Sequence, residues 1–215
     1  MENRRGAPVL PGERRLDLAD LIRGRRSVRR LRPDPVPRET IEAVIEAAAW
    51  APSPHGAQPW RFVVLTDPRR KRELADAMAT TWEHQLALDG QDEETIARRL
   101  AGSRRRLLEA PVLILLCLYL ADLDRYPDPD RQAAETTMAV QSLGAAAQNL
   151  LLMAYRLGLD TGWMCAPLFC PDLVRATLGL PGDLVPHALI TLGYAAADPR
   201  RRPRRPLSEL IVRWE

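Results

Sequence analysis

No segment of the 215-residue chain is long enough to cross a bilayer as a helix. Its longest apolar run, PVLILLCLYL, is about half of what a span requires. Cysteine is scarce: Cys117, Cys165 and Cys170 are an odd count with no C-x-x-C spacing. That argues against a disulfide framework or a cysteine-held zinc and fits a reducing compartment. The segment MENRRGAPVLPGERR lacks the apolar core of a secretory signal, so a cytoplasmic location is expected. His55, His84 and His187 stand too far apart, from one another and from the cysteines, for metal-ligand spacing. There is no G-x-G-x-x-G after a strand, no G-x-x-x-x-G-K-[ST] and no G-x-S-x-G. Dinucleotide-fold, nucleoside-triphosphate, serine-hydrolase and metalloenzyme readings therefore lose most of their support. An excess of one charge is missing too. The 31 basic residues are offset by 28 acidic ones, leaving +3, too little to argue for nucleic acid.

What is present is ordinary globular material, 46% hydrophobic and 27% charged. With no repeat, linker or low-complexity tract, residues 1–215 read as one domain, its first dozen or so residues disordered. Apolar residues at helical spacing predict helices over 16–25, 37–51, 69–88, 92–108 and 171–180. In the first, Leu16, Leu18, Leu21 and Ile22 share one side. The longest helix is expected over 131–157, closed by Gly158, with Ala139, Ser142 and residues 144–147 small enough for close helix approach. RFVVLTD, PVLILLCLY, TGWMCA and HALITLGYA read as strands, the second covered on both faces. Three or four strands among many helices give an α+β fold, an α/β sandwich around a small sheet.

Three stretches ask for a chemical explanation. In APSPHGAQPWRFVVL (51–65), Pro52, Pro54 and Pro59 fix φ and remove donors, so residues 51–58 are expected to form a stiff, extended loop. RGRRSVRRLR (23–32) and RRRPRR (200–205) gather arginines at opposite ends of the chain, the first around Ser27. Guanidinium forks match phosphate oxygens, but single-sign arginine runs are commonly just solvated surface. The two runs can cooperate only if the fold joins chain segments roughly 170 residues apart. Neither contains an aromatic, against a nucleic-acid partner. In GLDTGWMCAP (158–167), glycine and small residues would let a flat ring approach the backbone. The alternative is a plain helix-to-strand turn with Trp163 in the core. Cys165, with no base nearby in sequence, reads as a small buried residue rather than a nucleophile.

The order and spacing of these pieces resemble the nitroreductase family of FMN-dependent oxidoreductases over nearly the whole chain. Arg25, Ser27 and Arg29 match its R-x-S-x-R segment. Pro52, Ser53, Gln58, Pro59, Trp60 and Phe62 match its P-S-x-x-x-x-Q-P-W-x-F loop. Gln148-Asn149-Leu150 with Gly158-Leu159 match the end of its long helix, and Gly193-Tyr194 and residues 204–209 its C-terminal segment. The resemblance implies a mostly antiparallel sheet flanked by helices and an intertwined homodimer with FMN at the interface. It also implies hydride transfer through the flavin, with NAD(P)H as donor, ping-pong kinetics and a small-molecule acceptor; neither nucleic acid nor membrane is a partner. It assigns FMN contacts to Arg25, Arg26, Ser27, Arg29, Pro52, Ser53, Pro54, His55, Gln58, Trp163, Met164, Cys165, Ala166, Arg204 and Arg205. The sequence departs from many members at Gly56, where they carry asparagine, and at Cys165-Ala166, where they carry a glutamate-glycine pair.

Within the family, the chain is similar to the C-terminal reductase domain of bifunctional F-420:glutamate ligases. The similar segments are A-P-x-P-H (51–55), Trp82 before Asp89-Gly90, residues 98–102 and 107–111, and Tyr126-Pro127-Asp128. That resemblance implies reduction of a dehydro precursor of F-420, with His55 a candidate proton donor beside the ring. A generic NAD(P)H nitroreductase or quinone reductase and a non-catalytic flavin- or deazaflavin-binding protein are the alternatives.

Overall fold

The structure, a computed structural model, describes residues 14, 16–197, 199 and 202–215. The N-terminal dozen residues expected to be disordered, and Arg200 and Arg201 of the second arginine run, lie outside the described residues. Among the described residues, seven α-helices and five strands follow in the order α1 (Leu18–Gly24), β1 (Leu31–Arg32), α2 (Arg38–Ala49), β2 (Trp60–Leu65), α3 (Pro68–Leu88), α4 (Glu93–Glu109), β3 (Val112–Tyr119), α5 (Pro129–Arg156), β4 (Asp160–Met164), α6 (Pro171–Leu178), β5 (Leu184–Ala195) and α7 (Leu207–Leu210).

Three of the longer helices, α3, α4 and α5, begin where a short acceptor precedes them. Asp67, Asp92 and Asp128 each cap an N-terminus, accepting from the N–H of Arg69, Thr95 and Arg131, and Pro68 and Pro129 follow two of the caps. α5 ends at Gly158, whose φ of 82° turns the chain; the Gly158 and Leu159 N–H groups donate to the carbonyls of Tyr155 and Ala154 at 3.2 and 2.9 Å. In α1 only Leu21 is buried, while Leu18 and Ile22 of the expected apolar face are exposed.

The sheet is antiparallel in every strand pair, in the order β1-β5-β3-β2, with β4 also pairing to β5. It has five strands, not three or four. β1 is two residues long and exists through pairing of Leu31 with Ala195 and Arg32 with Tyr194. β3 is buried on both faces. Ile114, Leu116 and Leu118 pack in one core with α2 and α5, and Leu113, Leu115 and Cys117 in another with α3, α4 and α6. Between Leu116 and Cys117 the register shifts, their partners being Ala188 and Pro186, so His187 is an extra residue. A proline in an inner strand lacks one ladder donor, and a bulge accommodates it.

The proline loop differs from the extended form expected of it. Ser53 is extended, but residues 54–56 close a 3-10 turn with His55 at φ 55° and Gly56 at φ 67°, and Gln58 follows at φ 49°. The Gln58 N–H donates to Ser53 Oγ at 3.0 Å. Proline fixes its own φ and restricts the residue before it, so His55, which precedes Gly56, is free to take left-handed geometry, whereas Gln58 takes it against the restriction that Pro59 imposes. Two non-glycine residues held there store strain of about 1–3 kcal/mol each, a feature that clusters at binding sites.

Candidate active site

The site starts from β4. The Val28 N–H donates to the Thr161 carbonyl at 2.8 Å, and Ser27 bridges Thr161 in parallel, so the strand-like segment after α1 lies directly on β4. Gly162 makes this approach possible. A Cβ there would stand 2.7 Å from the Val28 carbonyl oxygen and 2.7 Å from Thr191 Oγ1. The glycine noted in the sequence as an opening for a flat ring thus also admits the chain's own arginine segment.

That contact sets Arg25, Ser27 and Arg29 around a cavity of about 520 Å³, closed on its other side by Pro199, Arg202 and Arg204. The two arginine runs do meet. Arg25 is held below the ordinary arginine value by burial, then by the guanidiniums of Arg204 and Arg26. Its Nε is buried with no hydrogen-bond partner. A cation desolvated among like charges, with a donor unspent, is an anion site. Arg26 also borders the cavity, but its guanidinium donates to the carbonyls of Arg23 and Arg25. Arg205 pairs with Glu209 at 3.8 Å instead of lining the cavity.

A second cavity, of about 500 Å³, opens between α3 and α4 and is floored by Met164, Cys165 and Ala166. Cys165 is exposed there, correcting its assignment as a buried residue: it precedes the 3-10 turn over residues 166–169 and lies at the cavity surface. Trp163 is not in the core either, being 38% exposed on β4. Arg106 joins the two cavities. It lines the second, donates to Met164 Sδ at 3.4 Å, and is held below the ordinary arginine value by burial and then by Arg29. Its Nε, too, is buried and unpartnered. The sequence reading missed Arg106. The available signal was helical phase, since Arg99, Ser103 and Arg106 fall at i, i+4 and i+7 of α4, all three on the cavity.

Pro52, Ser53, Pro54, His55 and Gln58 line neither cavity. Their turn sits beside α5, next to the exposed Trp50. The fold therefore gathers Arg25, Arg26, Ser27, Arg29 and Arg204 at one cavity and Met164, Cys165 and Ala166 at its neighbour. The proline loop stands apart from both within one chain.

Comparison with known proteins agrees with this architecture. The family model described as "Nitroreductase family" matches residues 22–194. An NADH dehydrogenase of Thermus thermophilus is 33% identical over 221 residues, covering 93% of this chain and 96% of that protein. A BluB-like flavoprotein from Clostridium difficile superposes with a TM-score of 0.78 at 26% identity, over 93% of this chain and all of that one. The FMN-dependent nitroreductase NfnB from Mycobacterium smegmatis, solved with NADPH, gives a TM-score of 0.71 at 26% identity, again over 93% of this chain and 100% of that one. Residues 23–32, β4 and all but the last residue of the five-stranded sheet fall in the matched region, and the chain belongs to the nitroreductase family of oxidoreductases.

Proposed function

We propose that the chain binds FMN and acts as an NAD(P)H-dependent oxidoreductase toward a small organic acceptor. The observation that carries this reading is the convergence of Arg25, Ser27 and Arg204 on one cavity, with Arg25 Nε buried and unpartnered. The residues present fit FMN. Phosphate oxygens match the unpartnered Nε of Arg25 and the Ser27 hydroxyl. The adjoining cavity offers the apolar side chains of Met78, Leu107 and Met164 to a ring system and the unpartnered Nε of Arg106 to its polar edge. The similar M. smegmatis protein is FMN-dependent and was solved with NADPH.

When bound, FMN supplies the two-electron redox chemistry. The chain's own residues do the rest. Arg25, Ser27, Arg29 and Arg204 hold the phosphate, and the field of clustered cations draws anionic ligands inward. The apolar walls of α3 and α4 would exclude water from the cavity, and Met164, Cys165 and Ala166 would limit how a second molecule is oriented in it.

Assembly as a homodimer with FMN at the interface belongs to the same proposal. It is supported by the loop of residues 52–58 lining neither cavity of its own chain and by the exposure of Trp50, Leu18 and Ile22 nearby or on α1. In a dimer, the loop would serve the partner's site. A dehydro precursor of F-420 is the second acceptor to consider, because Trp82, one of the residues shared with that subgroup, lines the cavity beside Met164 and Cys165.

The test is anaerobic. NADH or NADPH should bleach the flavin's visible band, and a quinone, a nitroaromatic or the dehydro precursor should restore it. Steady-state rates should give parallel double-reciprocal lines. Intersecting lines would overturn the ping-pong scheme, and no bleaching by either nucleotide would overturn the catalytic reading and leave a flavin-binding protein.

A further inference from the structure

The cavity between α3 and α4 carries three arginines, and their surroundings differ. Arg104 is spent: its guanidinium makes a bidentate pair with Asp76, at 2.9 and 3.2 Å. Arg106 is half-buried against Met164 and borders the arginine cavity through Arg29. Arg99 has no hydrogen-bond or ion-pair partner among the described residues, although its neighbour Arg98 reaches Glu94 at 3.7 Å and Thr95 at 3.0 Å. Asp89 is the one carboxylate on the cavity wall among the described residues. Across from Arg99, on α3, Trp82 is half-buried in the wall.

An unspent guanidinium at the mouth of an apolar, tryptophan-walled cavity is suited to a particular kind of guest. We propose that Trp82 and Arg99 select a planar molecule bearing an anionic group, the ring packing along Trp82 and the anion meeting Arg99. The inference rests on the oxidoreductase reading above, in which this cavity receives the molecules that exchange electrons with the cofactor. Its anion can come from either substrate: a carboxylate on the acceptor, or the 2′-phosphate that distinguishes NADPH from NADH. Arg99 is exposed, so its pairing is worth less than a buried one, and about a tenfold preference is expected.

Ping-pong kinetics separate the two sources, because kcat/KM for each substrate reports only its own half-reaction. The holoenzyme, Arg99→Gln, Arg99→Lys and Trp82→Ala are compared with two matched pairs: 4-nitrobenzoate against its neutral isostere 4-nitrobenzamide, and NADPH against NADH. A fall of about tenfold in the anionic-to-neutral ratio in Arg99→Gln, largely recovered in Arg99→Lys, supports the proposal. The pair that shows it identifies the molecule carrying the anion. Trp82→Ala should weaken both members of that pair alike.

Unchanged ratios in an enzyme that still turns over would overturn the inference while leaving the proposed function standing. Equilibrium titration of the protein with 4-nitrobenzoate, 4-nitrobenzamide, NADPH and NADH, read by calorimetry, needs no turnover. Equal affinities of wild type and Arg99→Gln for every ligand would overturn the inference there. Absence of released FMN would instead count against the oxidoreductase reading.

Discussion

Gly162→Ala adds one carbon where the arginine segment crosses β4. The new Cβ would lie 2.7 Å from the Val28 carbonyl oxygen and 2.7 Å from Thr191 Oγ1, both shorter than a tolerable contact. Thr191 is fully buried and Val28 nearly so, so neither can swing into solvent. Relief therefore has to come from moving the backbone at Ser27-Val28, which strains the 2.8 Å bond from the Val28 N–H to Thr161. Overpacking of this kind costs about 1–3 kcal/mol. For a chain of this length each kcal/mol is worth about 2–4 °C in Tm, so a loss of about 2–12 °C is expected. The same displacement carries Arg25, Ser27 and Arg29 away from Arg204, so FMN affinity should fall along with stability. Differential scanning calorimetry of the apoprotein and titration of FMN fluorescence measure the two effects separately. Gly102→Ala is the control: it lies inside α4 with nothing near its added Cβ and should raise Tm slightly. A Gly162→Ala protein that melts with wild type and binds FMN equally well would refute the claim that this glycine builds the site.

Arg25→Gln should separate stability from binding, because it removes a desolvated charge crowded by Arg204 and Arg26; the apoprotein should melt no lower than wild type while FMN is lost on gel filtration. Lys71→Met should destabilise the fold by about 1–3 kcal/mol in urea unfolding, since the buried ammonium donates to the carbonyls of Ala110 at 2.6 Å and Pro111 at 3.3 Å, both left short of a partner. His187, in the bulge of β5, is held below its ordinary value of 6.5 by burial. The unfolded chain therefore takes up its proton first as pH falls, so this contribution is complete above about pH 6.5 and is lost as pH falls toward the folded-state value. Urea midpoints of wild type and His187→Gln at about pH 7.5 and 5.5 should show a steeper acid loss in wild type, and equal losses would refute it.

Much of this was legible in the sequence, for identifiable reasons. β3 was readable because burial on both faces demands an unbroken apolar run, and the end of α5 because Gly158 closes it. β1 was not, because two residues carry no period and only pairing with Ala195 and Tyr194 makes them a strand. The turn at residues 54–58 was misread because its left-handed positions fall on His55 and Gln58 rather than on glycine alone. Cys165 was misread because cysteine is usually buried, whereas here it borders a cavity mouth. The arginine runs showed the chemistry of an anion site, but that they meet depends on Gly162 and the Ser27–Thr161 bridge, which are tertiary facts. Arg106 was hidden among the other arginines of α4, and only helical phase sets it on the cavity with Arg99 and Ser103.

The central claim is that the cavity formed by Arg25, Ser27 and Arg204 holds the phosphate of FMN. The most direct measurement is the visible spectrum of the purified protein, followed by denaturation and identification of the released chromophore, for wild type and for Arg25→Gln. The account predicts a flavin spectrum with stoichiometric FMN released from wild type and little from the variant. A wild-type protein that is colourless and takes up no added FMN, or a variant that retains FMN as well as wild type, would contradict it.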